Sequence, residues 1–156
     1  MQEPSPLNQV AEFHTTFKHP IEKEPAIPSE DRCKLRVALL AEELRELEVA
    51  IRDKDIVEVA DALCDLQYVL SGAILEFGLG EKFKALFDEV QRSNMSKSCK
   101  TREEAEATVK YYKEERDTDC YYEESDGHFL VYRTADNKTL KSVYYSPADL
   151  KKILDQ

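Results

Sequence analysis

The chain has 156 residues, 22 of them Lys or Arg and 32 Asp or Glu, so its formal net charge is −10. At 42% hydrophobic residues it buries a real core, which excludes wholesale disorder, and its length suits one compact domain with a small appendage. The acidic balance argues against a nucleic-acid backbone or an anionic membrane as partner.

Ser5-Pro6 reads as a helix start, with Ser as N-cap and Pro at the first helical position. That helix carries Val10, Phe13, His14 and Phe17. Pro20, Pro25 and Pro28 then predict an extended linker, with Ser29 as the next cap. From Asp31 to about Asp53 there is no Gly or Pro. Val37, Leu40, Leu44, Leu47 and Ile51 recur there at helical steps. Asp55 caps a second long helix from Ile56 to about Phe77, apolar nearly all round, which Gly78-Leu-Gly80 ends. A third core helix with Phe83, Leu86, Phe87 and Val90 ends near Asn94, and Thr101-Arg-Glu-Glu104 is a capping box for a helix to about Glu115. Phe129–Tyr132 and Leu140–Tyr144 read as a β-hairpin joined by Asp136-Asn137-Lys138, and Ser146-Pro147-Ala-Asp149 opens a short last helix.

Cys33, Cys64, Cys99 and Cys120 form no CxxC pair and have no His at a zinc-site spacing. Cys64 lies in an apolar helical run, where a thiol acts as a small hydrophobe. Reduced cysteines and an N-terminal Met-Gln-Glu-Pro without basic or apolar leader segments predict a cytoplasmic protein. The most apolar stretch, Leu66 to Leu75, is too short to span a bilayer.

The informative residues are acids. The first long helix carries Glu42, Glu43 and Glu46, and the second carries Glu58, Asp61 and Asp65. On a helical wheel each triplet shares an arc with small or apolar residues: Leu35, Leu39 and Ala50 on the first helix, Ala62, Val69 and Gly72 on the second. Lys34, Arg45, Glu48 and Arg52 cluster on the remaining, solvent face, and no basic residue shares the acidic arcs. Two helices joined by a turn near Asp53 and Lys54 run antiparallel, so Glu46 lies level with Asp61 and Glu43 with Asp65. Six carboxylates facing one partly apolar cleft need a compensating cation. All-oxygen ligation favours Mg²⁺ or Mn²⁺ over zinc. A di-iron bundle is excluded, because none of His14, His19 and His128 follows a Glu three residues earlier.

Glu42-Glu43-Leu-Arg-Glu46 followed by Glu58-Val-Ala-Asp61 resembles the EExxE…ExxD signature of the MazG-like all-α nucleoside triphosphate pyrophosphohydrolases, a group that includes phosphoribosyl-ATP pyrophosphohydrolases and dimeric dUTPases. Phe13-His14, His19-Pro20-Ile21 and Arg92–Lys97 resemble further segments of one bacterial and phage branch. Lys138-Thr-Leu-Lys141, Tyr145 and Pro147–Leu150 resemble its GKxxK…Y…PDL tail, with Asn137 in place of the usual Gly.

The resemblance implies cleavage of a nucleoside triphosphate, NTP or dNTP, to the monophosphate and pyrophosphate in a nucleotide-pool or house-cleaning role. It implies Mg²⁺ held by Glu42, Glu43, Glu46, Glu58 and Asp61, with Asp65 auxiliary and Glu43 or Glu46 as general base. Acids cannot grip a triphosphate, so Lys97 and Lys141 are the candidate cations, Asn94 a hydrogen-bond donor, Tyr145 a cap and His14 a wall of the base pocket. The expected fold is all-α: a helical-bundle core over residues 1–98 containing an acidic helix hairpin at 31–78, with a small α+β extension over 99–156 docking on the core or a neighbouring subunit. A hairpin with two apolar faces predicts a bundle completed by homodimer or homotetramer formation. Phosphoribosyl-ATP hydrolysis and a non-catalytic metal- or nucleotide-binding scaffold are the alternatives.

Overall fold

The computed structural model describes residues 4–156; the leader reading at Met1–Glu3 lies outside the described residues. The described chain is mostly helical, with one antiparallel two-stranded sheet near its C-terminus. In chain order the elements are α1 (Pro6–Phe17), α2 (Glu30–Asp53), α3 (Ile56–Glu76), α4 (Phe83–Met95), α5 (Arg102–Arg116), β1 (Cys120–Ser125), β2 (His128–Arg133) and α6 (Leu150–Leu154). Two compact units emerge, Met1–Phe83 and Lys84–Gln156. No helix among the described residues is long and apolar enough to cross a membrane.

In the first unit the local signals place the helices where physics asks for them. Pro6 opens α1, and Lys18 closes it in the left-handed region. Asp55 caps α3, its carboxylate accepting from the Val57 and Glu58 amides at 3.0 and 3.2 Å. Lys54, left-handed, turns α2 directly into α3, so the two long helices pair antiparallel and α1 packs on α3. The proline-rich linker runs past the end of α3: Glu22 N–H donates to Leu75 O and Ala26 N–H to Phe77 O.

Gly78 makes that closure possible. Its φ is +67°, and a Cβ placed there would fall on the Glu24 carbonyl. We expect Gly78→Ala to lose more stability than the roughly 1–3 kcal/mol that a left-handed non-glycine residue costs, because the linker must also move. Urea denaturation checks it; an unchanged midpoint overturns the account.

The second unit has its own buried core of Cys99, Ala105, Cys120, Val131 and Leu140. It takes in α4: Arg92 donates to Pro147 O at 3.0 Å, and Glu89 accepts from the Asp149 amide at 2.9 Å. Thr101 caps α5 by accepting from the Glu104 amide, while the Glu104 carboxylate reaches back to Lys100 N–H rather than to Thr101 N–H.

The hairpin differs from expectation. Phe129–Tyr132 is indeed strand, but its partner is the upstream Cys120–Ser125, registered Cys120↔Arg133 through Ser125↔His128. The connection is Asp126-Gly127, both at positive φ (48° and 78°), the arrangement a two-residue hairpin turn needs. Leu140–Tyr144 is not a strand. Thr139, just before it, makes an isolated bridge with Tyr132, and Leu140 N–H donates to Val131 O. Asn137 does take positive φ, 55°, as the turn before Lys138 requires.

All four cysteines are free; Cys99 and Cys120 are buried, whereas Cys64 is exposed rather than packed. The apolar stripe of α2 also stands open in the single chain, with Val37 67%, Leu44 50% and Ile51 59% exposed.

Candidate active site

The acidic face of α2 is the one that turns toward α3. Along it Arg36 and Ala50 are buried, and Leu39 and Glu43 are half-buried. Glu42 and Glu46 on α2, and Glu58, Asp61 and Asp65 on α3, remain solvent-exposed beside that seam.

Glu43 is the centre of the cluster. Burial comes first, then the negative charges of Asp65, Glu46, Glu42 and Asp61, and together they hold its carboxyl above the usual carboxylate range. Asp65 is the strongest of those charges, as the antiparallel register puts Glu43 level with it. Its Oε2 is buried and has no hydrogen-bond partner. Glu46 and Glu58 line one concavity of about 500 Å³ at the turn end of the hairpin, together with Arg45, Asp53 and Asp55.

One correction to the wheel follows. Arg36, seven residues before Glu43, lies about 20° from it and is buried on the same line, so a basic residue does adjoin the acidic arc; Arg45 stays on another face and lines the concavity beside Glu46 and Glu58. Neither pairs with the cluster. Arg36 donates to Glu76 and to His14 Nε2 (3.2 Å), and Arg45 forms no ion pair among the described residues. The donor set is therefore all carboxylate, and its buried orphan oxygen on Glu43 suits a hard divalent cation. Among the described residues no group of three His, Cys, Asp or Glu stands arranged to hold a metal ion.

Next along the seam is a buried ionic network that sequence reasoning missed. Glu76 is 1% exposed. Arg32 and Arg36 both reach it, Arg32 Nε at 3.1 Å and the two Nη2 groups closer. Burial pushes the Glu76 carboxyl up, but bonds and charges from the two guanidiniums outweigh it and leave it below the ordinary range. His14 is 3% exposed. Its Nδ1 lies 2.8 Å from Pro20 O and so carries the proton, leaving Nε2 to accept from Arg36. Desolvation keeps this imidazole neutral, its pKa below 6.5. Both ring nitrogens are thus engaged. Available signals were Arg36 seven residues before Glu43, and Glu76 inside Leu75-Glu76-Phe77.

The other expected substrate residues gather in the second unit. Lys97 Nζ donates to Asn94 Oδ1 at 2.8 Å, and Lys141 Nζ sits 4.2 Å over the Tyr145 ring. The buried Ser93 hydroxyl donates to Tyr145 Oη at 3.0 Å and lowers the phenol below its ordinary range, with Lys141 and Lys97 acting in the same direction. Lys141 and Tyr145 also line a concavity of about 670 Å³ with Arg116 and Arg133.

The first unit is thus an α-helical hairpin that crowds carboxylates along one seam around a half-buried glutamate with an unpartnered oxygen. The family model described as phosphoribosyl-ATP pyrophosphohydrolase matches residues 10–94, more than half of the chain, and the chain belongs to this family, within the MazG-like superfamily. Membership implies a pyrophosphohydrolase acting on a nucleotide. No curated protein matches the sequence at a significant level.

Proposed function

We propose that the protein hydrolyses a nucleoside triphosphate, NTP or dNTP, to the monophosphate and pyrophosphate with Mg²⁺ or Mn²⁺, in nucleotide-pool or house-cleaning service. The observation that carries this reading is Glu43, a half-buried carboxylate with an unpartnered oxygen amid Glu42, Glu46, Asp61 and Asp65. Carboxylates so crowded repel one another, and a hydrolytic metal site is a physical reason to keep them.

In this reading Glu42, Glu43, Glu46, Glu58 and Asp61 hold the cation, and Asp65 steadies the set. Bound there, the ion neutralises phosphate charge and lowers the pKa of water. Glu43, its basicity raised by burial and then by its acidic neighbours, or Glu46 takes the water's proton as the oxygen bonds to phosphorus and the α–β anhydride breaks. Lys97 and Lys141 supply positive charge to a phosphate-bearing ligand, with Asn94 and Tyr145 beside them. His14 serves through Arg36, which it holds in place. A homodimer or homotetramer covers the exposed Val37–Leu44–Ile51 stripe.

The family to which the chain belongs favours a second substrate, phosphoribosyl-ATP, cleaved at the same kind of anhydride. A pyrophosphate-release screen over all NTPs, dNTPs and phosphoribosyl-ATP with Mg²⁺ and Mn²⁺ decides. Turnover of NTPs or dNTPs well above phosphoribosyl-ATP is expected. Turnover of phosphoribosyl-ATP alone moves the protein to that reaction, and nucleotide binding without turnover makes it a binding module.

A further inference from the structure

The chain has a net charge of −10, yet one concavity of the second unit is lined by cations and by no carboxylate. It measures about 670 Å³, and Arg116, Arg133 and Lys141 line it among Tyr111, Tyr112 and Tyr145. All six lie outside residues 10–94, the stretch the family model matches. Tyr111, Tyr112, Arg116 and Arg133 also lie outside the tail segments that carry the resemblance.

The three cations are committed differently. Arg133 is neutralised by Asp136, which accepts from its Nε and Nη2 at 2.7 and 2.6 Å. Arg116, at the exposed end of α5, donates its Nε–H to Tyr111 Oη at 3.0 Å and lies 5.8 Å from the centre of that ring. Glu115 acts on Arg116 through space and does not line the concavity. Lys141 Nζ rests on the Tyr145 ring, not on a carboxylate. The two phenols of α5 are engaged as acceptors, Tyr111 from Arg116 and Tyr112 from the Lys141 amide at 3.2 Å. Neither donates to a protein atom among the described residues, so both hydroxyl protons are left to donate. The wall is rich in donors and poor in acceptors, the reverse of the acidic seam.

An anion satisfies such a wall. A phosphate group, with several oxygens accepting at once, uses donors from four side chains more fully than a single carboxylate does. The volume falls within the roughly 300–1,000 Å³ of small-molecule sites, room for a phosphate with a ring system attached. We propose that this concavity binds a phosphate-bearing anion without a divalent metal, with Arg116, Lys141 and the Tyr111 and Tyr112 hydroxyls as its donors. The inference goes beyond the nucleoside triphosphate reading, which it meets at Lys141 and Tyr145, because it needs neither the metal nor the acids.

The test is calorimetric titration of the full chain in excess EDTA, at fixed ionic strength, with inorganic pyrophosphate, UTP and ATP. Pyrophosphate should bind. Arg116→Gln should weaken that binding at least fivefold, and Arg116→Lys should recover part of the loss. Arg116 is exposed, so these changes probe the site and not the fold. Lys113→Gln removes the same charge from the same helix, but Lys113 does not line the concavity, and binding should change less than twofold. A triphosphate bound at least fivefold more tightly than pyrophosphate assigns the site to nucleotides; equal binding assigns it to the phosphate group alone, and both support the proposal. No metal-free binding of any of the three, or equal losses in Arg116→Gln and Lys113→Gln, overturns it. Metal-free binding without pyrophosphate release from any triphosphate in Mg²⁺ overturns the catalytic reading and leaves this site standing. Turnover without metal-free binding does the reverse.

Discussion

Glu43→Gln and Asp61→Asn should each lower pyrophosphate release at least a hundredfold, about 2.7 kcal/mol of transition-state stabilisation, without unfolding the protein. Each change removes one charge and keeps the shape. A purely structural acid would be missed through its packing, and an amide preserves that packing. A metal ligand or general base is missed through its charge, and the amide does not preserve that. Glu43 has a second signature. Its carboxyl sits above the usual range in the fold, so at neutral pH its ionised form opposes folding. Glu43→Gln should therefore leave the metal-free melting temperature equal or higher while activity falls. Added Mg²⁺ should raise the melting temperature of the wild type more than that of either variant. Near-normal turnover in both variants would sink the assignment of these acids. Lost turnover with an equally lowered melting temperature would recast them as structural.

That stability–function opposition shows which parts of the molecule were readable in sequence. Helix signals act over three or four residues: the Asp55 cap, the unbroken run to Asp53, and the carboxylates at helical spacing are local facts, and α2, α3 and the acidic seam follow from them. Pairings across long separations are not local facts. Arg36 and Glu76 are 40 residues apart, and no pattern near either names the other. The wheel itself placed Arg36 within about 20° of Glu43, but only the partner Glu76 explains why that charge does not quench the acids. The hairpin failed for a related reason. Asp126-Gly127 is a strong turn signal, yet the strand before it, Cys-Tyr-Tyr-Glu-Glu-Ser, is too polar to stand out beside the more apolar Leu140–Tyr144. Burial of Cys120 against Val131 and Leu140, a tertiary matter, decides the pairing.

The same network carries the largest expected effect on stability. Glu76→Ala should destabilise the protein by about 3–5 kcal/mol, because it strands Arg36, 7% exposed, without its counter-charge. Glu76→Gln keeps a hydrogen-bonding side chain and should cost less. A joint replacement, Arg36→Met with Glu76→Leu, should recover much of the Glu76→Ala loss, since a buried pair exchanged for apolar groups is often neutral. Acid should probe the network in two stages. His14 has a folded pKa below its ordinary 6.5, so its neutral form favours folding, and that contribution is lost as pH falls below about 6.5 toward the folded value. Glu76, also depressed, contributes fully above the ordinary carboxylate range and loses its contribution as pH falls through its folded value. Urea midpoints measured from pH 7 downward should fall first with His14 and then further with Glu76, and Glu76→Gln should remove the second fall alone. A midpoint flat from pH 7 to 4 in a Glu43→Gln background, where the opposite-signed titration of Glu43 is gone, would show that the neutral His14 does not contribute to folding.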